Sequence, residues 1–374
     1  MTTGYGGPEY FCDREKETDA LTEAFDNGRN VTLFSPRRLG KTGLIRHFFY
    51  TLSQRKRGDK PITIYLDIQD TTDLNGFINA FASTVIHALE SKQEAIFKRM
   101  SELFRGLKVQ FTMNEYSGIP EVNLGLETPD EKERSVASVF QYLKQQKKPV
   151  VIAIDEFQQI NEYPEQNTEA LLRKYIQHQQ NIRYIFSGSE KHLLLPIFSD
   201  SNRPFYQSTQ FLQLKKLDHA PYAEFIKKGF QTGNKTISDD AIELILQWSC
   251  YHTYYTQYVC NILFARSDKK VSTESVKKVI PLILEEHEPV FQYYRKLLHT
   301  QQFKLLTAIA KENEATELTG SHFLHKYDLT GTSTVLKSLN TLIEKSLVFE
   351  EKTSNKTHYR LNDVFLMRWL EQLK

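Results

Sequence analysis

The segment Val31-Thr-Leu-Phe-Ser-Pro-Arg-Arg-Leu-Gly-Lys-Thr-Gly-Leu-Ile45 leaves this chain little freedom in how it folds. An apolar run, Val31 to Phe34, ends at a turn, and the turn delivers Gly40-Lys41-Thr42 onto the start of an amphipathic stretch. That order predicts a buried strand, a loop and a helix start, the setting in which a loop cradles phosphate. Backbone N–H groups of the loop and the helix N-terminus face the anion, and Lys41 reaches the β- and γ-phosphates of ATP. Thr42 offers its hydroxyl to Mg²⁺. The expected nucleotide-binding set is Ser35, Pro36, Arg37, Arg38, Leu39, Gly40, Lys41, Thr42 and Gly43. The template G-x-x-x-x-G-K-S/T has glycine where this chain has Ser35, so a chance Gly-Lys-Thr at a strand–helix junction is the competing reading.

A chain of 374 residues is long enough for two or three domains, each with its own core. Its 40% hydrophobic and 25% charged residues are ordinary for a globular protein, and a net charge of +2 gives no bulk argument for nucleic acid. Cys12, Cys250 and Cys260 lack metal-ligand spacing and read as reduced packing residues. No apolar run approaches 18 residues and the N-terminus lacks a signal-peptide core. The expectation is a cytoplasmic protein, neither membrane-spanning nor secreted.

Taken in order, a helix capped by Asp13 precedes the phosphate loop, and the loop's own helix runs from about Thr42 to Gln54. Arg55-Lys-Arg-Gly-Asp-Lys60 reads as a solvated loop before a second buried strand, Ile62 to Ile68. One helix is expected from Asn75 to about Leu103, then a β-hairpin (Leu107 to Thr112 and Glu121 to Leu126) linked through Asn114 to Pro120. A helix over Glu133 to Gln146 leads to Pro149-Val-Val-Ile-Ala-Ile154, continuously apolar as a strand covered on both faces would be. It ends in Asp155-Glu156, at the sheet edge where ligands bind in open α/β folds. Asp155 is placed to hold Mg²⁺ and Glu156 to polarise the attacking water; an acidic helix cap is the plainer alternative. A fourth strand, Ile182 to Phe186, ends in Ser187-Gly-Ser-Glu190, where Ser187 could reach the γ-phosphate or serve as a turn residue. Before a fifth strand, Gln210 to Leu214, Arg203 lies on a polar loop and is either an arginine finger or a surface residue.

From Leu217 the pattern turns helical, with helices beginning near Pro221, Ser238 and Tyr251. One or two more lie within Ser272 to Leu298, interrupted by Pro281 and Pro289. Trp248, Tyr251, Tyr254, Tyr255 and Tyr258 read mainly as packing residues. The last 74 residues give three helices, two short strands and a closing helix (Asp363 to Leu373), the pattern of a winged helix. Ten Lys/Arg against nine Asp/Glu over residues 301–374 leave double-stranded DNA and a protein partner both open.

These residues together resemble the archaeal-type P-loop ATPases of the STAND/AAA+ group, relatives of the origin-recognition ATPases. The opening Phe11-Cys-Asp-Arg-Glu-Lys-Glu17, the loop Pro36-Arg-Arg-Leu-Gly-Lys-Thr42 and Ile154-Asp-Glu-Phe-Gln158 carry the likeness. So do Pro204-Phe-Tyr206 and Tyr359-Arg-Leu-Asn-Asp-Val-Phe-Leu-Met-Arg-Trp369. The resemblance implies an α/β fold with a five-stranded parallel sheet of order 5-1-4-3-2, a helical lid and a C-terminal winged helix. Domains are expected at 1–215 (with the hairpin inserted at about 104–128), 216–300 and 301–374. The implied activity is Mg-ATP binding and hydrolysis to ADP and phosphate, as a nucleotide-dependent switch capable of forming an oligomer. A DNA-binding regulator or protein-interaction scaffold with little hydrolysis is the alternative. Gln207-Ser208 stand where the group often has glycine and arginine, and Tyr251-His-Thr where its lid often has G-H-P. With Ser35, these departures are expected to slow turnover.

Overall fold

A computed structural model describes residues 5–56, 58–90, 92–113, 120–352 and 356–373. The hairpin link at 114–119 and residues 353–355 of the wing tip lie outside the described residues. The chain divides into two compact units, one spanning 2–215 and the other 216–374.

The first unit is built on α1 (Glu15–Asp26), β1 (Val31–Phe34), α2 (Lys41–Ser53), β2 (Ile62–Asp67), α3 (Leu74–Leu89) and α4 (Gln93–Leu103). The hairpin β3 (Val109–Met113) and β4 (Pro120–Leu124) follows, then α5 (Pro129–Lys144), β5 (Val150–Asp155) and α6 (Thr168–Ile176). It closes with β6 (Ile182–Gly188), α7 (Lys191–Ser199) and β7 (Gln210–Gln213). The five strands pair in parallel in the order β2-β5-β6-β1-β7, which is the expected 5-1-4-3-2 when the hairpin is set aside.

Strand alternation explains why the sheet is covered twice. Ile152 and Ile154 of β5 join Tyr184, Phe186, Phe34 and Ile64 in a core with α3, α5, α6 and α7. Val151, Ala153, Ile185 and Leu33 point the other way, against Leu21 of α1 and Leu44, Ile45 and Phe48 of α2. Every residue of β5 is buried, so Asp155 at its end is carried to the sheet edge with its backbone fixed on both sides.

One expected helix is two. The segment Asn75 to Leu103 breaks after Leu89, where Glu90 takes an extended backbone (φ −112°, ψ 128°). Its carboxylate accepts from Tyr142 Oη at 2.6 Å and Arg99 Nε at 3.2 Å, which anchors the turn to α5.

In the second unit come α8 (His219–Thr232), β8 (Thr236–Ile237), α9 (Asp239–Trp248), α10 (Thr253–Arg266), β9 (Lys270–Val271) and α11 (Thr273–Leu297). Contrary to the expected interruptions, α11 runs continuously through Pro281 and Pro289. Each proline removes one helical N–H, but Val276, Val279, Ile283, Leu284 and Phe291 are buried along the helix and hold it against its neighbours. Cys250 and Tyr251, between α9 and α10, have φ of 54° and 57°, a left-handed conformation that ordinarily favours glycine.

The winged helix comprises α12 (Thr300–Glu312), α13 (Ser321–Lys326), α14 (Thr332–Glu344), the antiparallel pair β10 (Val348–Lys352) and β11 (Thr357–Leu361), and α15 (Val364–Glu371). Its last helix shares a core with the lid. Phe365 packs against Tyr255, Tyr258 and Trp248 at ring separations of 4.7, 5.2 and 5.6 Å, and Arg368 donates to the Trp248 and Gln247 carbonyls. Those three aromatics are therefore packing residues, and residues 216–300 and 301–374 fall in one compact unit.

Candidate active site

At the end of β1 the buried Ser35 donates its hydroxyl to the Pro36 carbonyl at 3.0 Å, and the chain then turns through exposed Arg37 and Arg38. Leu39 is buried beneath this turn. Gly40 caps α2 with φ 109°, and a Cβ there would meet nothing within 4 Å, so conformation rather than space calls for glycine. Gly43, one turn on, lies close to the Phe11 ring.

Lys41 opens α2 and is only 6% exposed. Its ammonium donates to the Ser35 carbonyl at a long 3.3 Å. Burial lowers its pKa, and the carboxylates of Glu156 and Asp155 pull it partly back. A buried ammonium with so little compensation fits a phosphate.

Asp155 is 4% exposed and accepts from four donors. Thr42 Oγ1 donates to its Oδ2 at 3.0 Å, Tyr65 Oη to the same oxygen at 2.5 Å, the Glu156 N–H to Oδ1 at 3.1 Å, and the Ser187 hydroxyl also to Oδ1. Thr42 and Asp155 thus lie in direct contact, as two residues serving one Mg²⁺ need to be. Ser187 is fully buried and spends its hydroxyl on this carboxylate. Burial and the neighbouring Asp155 charge raise the Tyr65 phenol well above its usual pKa, keeping it a donor, and Arg46 lies over its ring at 4.0 Å.

Glu156 has a left-handed backbone (φ 54°) that turns its side chain toward the loop after β6. One carboxylate oxygen accepts from Gln158 Nε2 at 2.6 Å, Ser189 Oγ at 2.9 Å and Ser189 N–H at 3.1 Å. Gly188 makes room for this arrangement, since a Cβ there would stand 2.1 Å from Gln158 Oε1. Gly188→Ala should therefore push the amide off Glu156 and cost about 1–3 kcal/mol, read as a lower urea midpoint. An unchanged midpoint would show that Gln158 moves freely. Arg37 reaches the same loop, donating to Ser189 Oγ at 3.3 Å and Glu190 Oε1 at 2.6 Å.

Arg203 is not gathered into this cluster. Its guanidinium grips Glu169 of α6 with two nitrogens and donates to Asn161 Oδ1 at 2.6 Å. Nothing local in the sequence marks that partner, 34 residues earlier; Arg203, read as either a finger or a surface residue, forms an ion pair within its own unit. Tyr65, Gln158 and Asp67 also belong to the site without standing out in the sequence. Register places Asp67 beside Asp155, and burial raises its pKa, with the Asp155 and Glu156 charges adding to the effect. The one local signal is Tyr65 and Asp67 at alternate positions of a strand ending at the same edge.

Residues 11–251 match the family described as the ATPase domain predominantly from Archaea, and residues 289–372 match a probable winged helix domain. The Walker-type ATPase PABY2304 of Pyrococcus abyssi is similar over 99% of both chains, with 18% identity and a TM-score of 0.65. The ORC2 protein of Aeropyrum pernix, in ADPNP–ADP complexes, covers 96% of this chain and 92% of its own at 14% identity and TM-score 0.56. For the ORC1 protein of the same organism, in complex with DNA, the values are 97%, 93%, 15% and 0.52. These likenesses show the fold. No curated protein matches the chain.

Proposed function

Because this chain belongs to the family of ATPase domains found predominantly in Archaea, we propose that its first unit binds Mg-ATP and hydrolyses it to ADP and phosphate. The contact of Thr42 with Asp155, beside the buried Lys41, is the observation that carries this reading. Lys41 binds the β- and γ-phosphates, with the backbone N–H groups of residues 37–41 around them. Thr42 and Asp155 hold Mg²⁺, which supplies charge neutralisation on the phosphate oxygens. Glu156 orients a water against the γ-phosphorus and takes its proton as the new P–O bond forms. The bond to the β-phosphate oxygen breaks, and ADP leaves with the electron pair.

Three donors engage one oxygen of Glu156 and hold the carboxylate toward Gln158 and Ser189 instead of leaving it free to meet a water. They favour slow turnover, so that the nucleotide state persists and acts as a signal. The second unit, with its winged helix, is the receiver of that signal. Its partner is double-stranded DNA or a protein, and a regulator with little hydrolysis is the second reading. A cytoplasmic location fits three cysteines that remain thiols, and no helix among the described residues is long and apolar enough to cross a membrane.

Titration calorimetry tests the binding step. Mg-ATP should bind at one site per chain, and chelating Mg²⁺ should weaken binding by about tenfold or more, equal to about 1.4 kcal/mol. Absence of any heat at high protein concentration would remove the proposed activity.

A further inference from the structure

The loops that enter β2, β5 and β6 sit at the sheet edge opposite the phosphate loop. Backbone pairing brings them side by side: the Ile62 N–H donates to the Pro149 carbonyl at 2.9 Å, and the Val150 N–H to the Asn181 carbonyl at 2.9 Å. Two charge runs that look unrelated in the sequence, the described residues of 55–60 and Lys144-Gln-Gln-Lys-Lys148, therefore share one surface. Together these described residues carry six cations and one acid, in a chain whose net charge is only +2.

Elsewhere in this unit many surface cations are paired, as in Arg29–Glu23, Lys108–Glu127 and Lys174–Glu133. At the rim of this edge Arg55 pairs with Asp26. By contrast Lys56, Lys60, Lys144, Lys147 and Lys148 are all exposed, and none meets a carboxylate among the described residues. Leaving so many like charges adjacent costs stability through mutual repulsion, a cost that a polyanion would relieve. The third loop adds exposed His178, Gln180 and Asn181, which can donate hydrogen bonds to phosphate oxygens.

We propose that this edge, formed by residues 54–56, 58–61, 144–149 and 177–181, binds the phosphodiester backbone of nucleic acid without reading its sequence. Lysine ammoniums are flexible point charges suited to phosphates, whereas the planar guanidinium fork is the cation shaped for bidentate recognition. A lipid surface would call for apolar anchors, and apart from two prolines these three runs contain no apolar side chain. The surface is separate from the ATP site, since β2 and β5 run six residues between the two edges, about 20 Å. Binding at this edge therefore does not depend on ATP hydrolysis.

The experiment is fluorescence anisotropy of the full chain with a labelled mixed-sequence duplex of about 20 base pairs, from about 50 to 200 mM salt. Lys56→Glu/Lys60→Glu/Lys147→Glu/Lys148→Glu should bind about 100-fold more weakly at the low-salt end. Its plot of log affinity against log salt should flatten by about 3 to 4, near 0.9 for each phosphate that a lysine no longer neutralises. An unchanged urea midpoint shows that the variant is folded. As a control, Lys337→Ala/Lys345→Ala, on α14 and at its C-cap, should retain most of the binding. The same titration with duplex RNA distinguishes the source of the backbone, and binding to either supports the proposal. It is overturned if neither duplex binds, if the quadruple variant binds like wild type, or if vesicles of phosphatidylserine and phosphatidylcholine bind while both duplexes do not.

Discussion

Lys41→Ala should lower ATP affinity by about 100-fold or more in a calorimetric titration. The ammonium would make charge-assisted hydrogen bonds to two phosphates, each about 1.5–3 kcal/mol, and about 2.7 kcal/mol is already a factor of 100. An affinity within a few-fold of wild type would place the nucleotide elsewhere. The same substitution has a pH signature without ligand. Burial lowers the Lys41 pKa, so the unfolded chain binds its proton more tightly than the folded one. That penalty is fully present below the lowered folded value and disappears as pH rises from there through the unfolded value, about 10.4. Wild type should therefore gain stability relative to Lys41→Ala as pH rises through that window, and a gap that widens the other way would contradict the burial argument.

Glu156→Gln should reduce phosphate release by about 10²- to 10⁴-fold, the usual contribution of a general base, while ATP affinity stays within a few-fold. Glutamine keeps the size of the side chain, and its carbonyl oxygen can still accept from Gln158 Nε2 and the Ser189 N–H. What it loses is the ability to take a proton. If the variant turns over normally, another group activates the water and Glu156 is a structural cap held by Ser189 and Gln158.

The features legible in the sequence are local ones. Phosphate loop, helix start and the carboxylates ending β5 each lie within a few residues, so spacing and hydrophobic run length suffice to read them. Parallel sheet order follows from family resemblance, because strand adjacency leaves no local mark. Other features depend on what the sheet brings together. Tyr65 and Ser187 come from the two strands flanking β5 and meet at Asp155. Gln158 reaches Glu156 only because Gly188, thirty residues later, has no side chain. Arg203 reads as a free loop cation until Glu169 is seen beside it. The break after Leu89 and the continuity of α11 are decided by tertiary packing that overrides proline and periodicity.

The most direct test of the central claim is phosphate release by the wild-type chain with excess ATP, followed as Mg²⁺ is raised from chelated to saturating. Release should be negligible without the metal, should rise to a slow plateau as Mg²⁺ is added, and should stay at background in Glu156→Gln. Release that ignores Mg²⁺, or a wild-type plateau no higher than that of Glu156→Gln, would contradict hydrolysis by the Lys41, Thr42, Asp155 and Glu156 site.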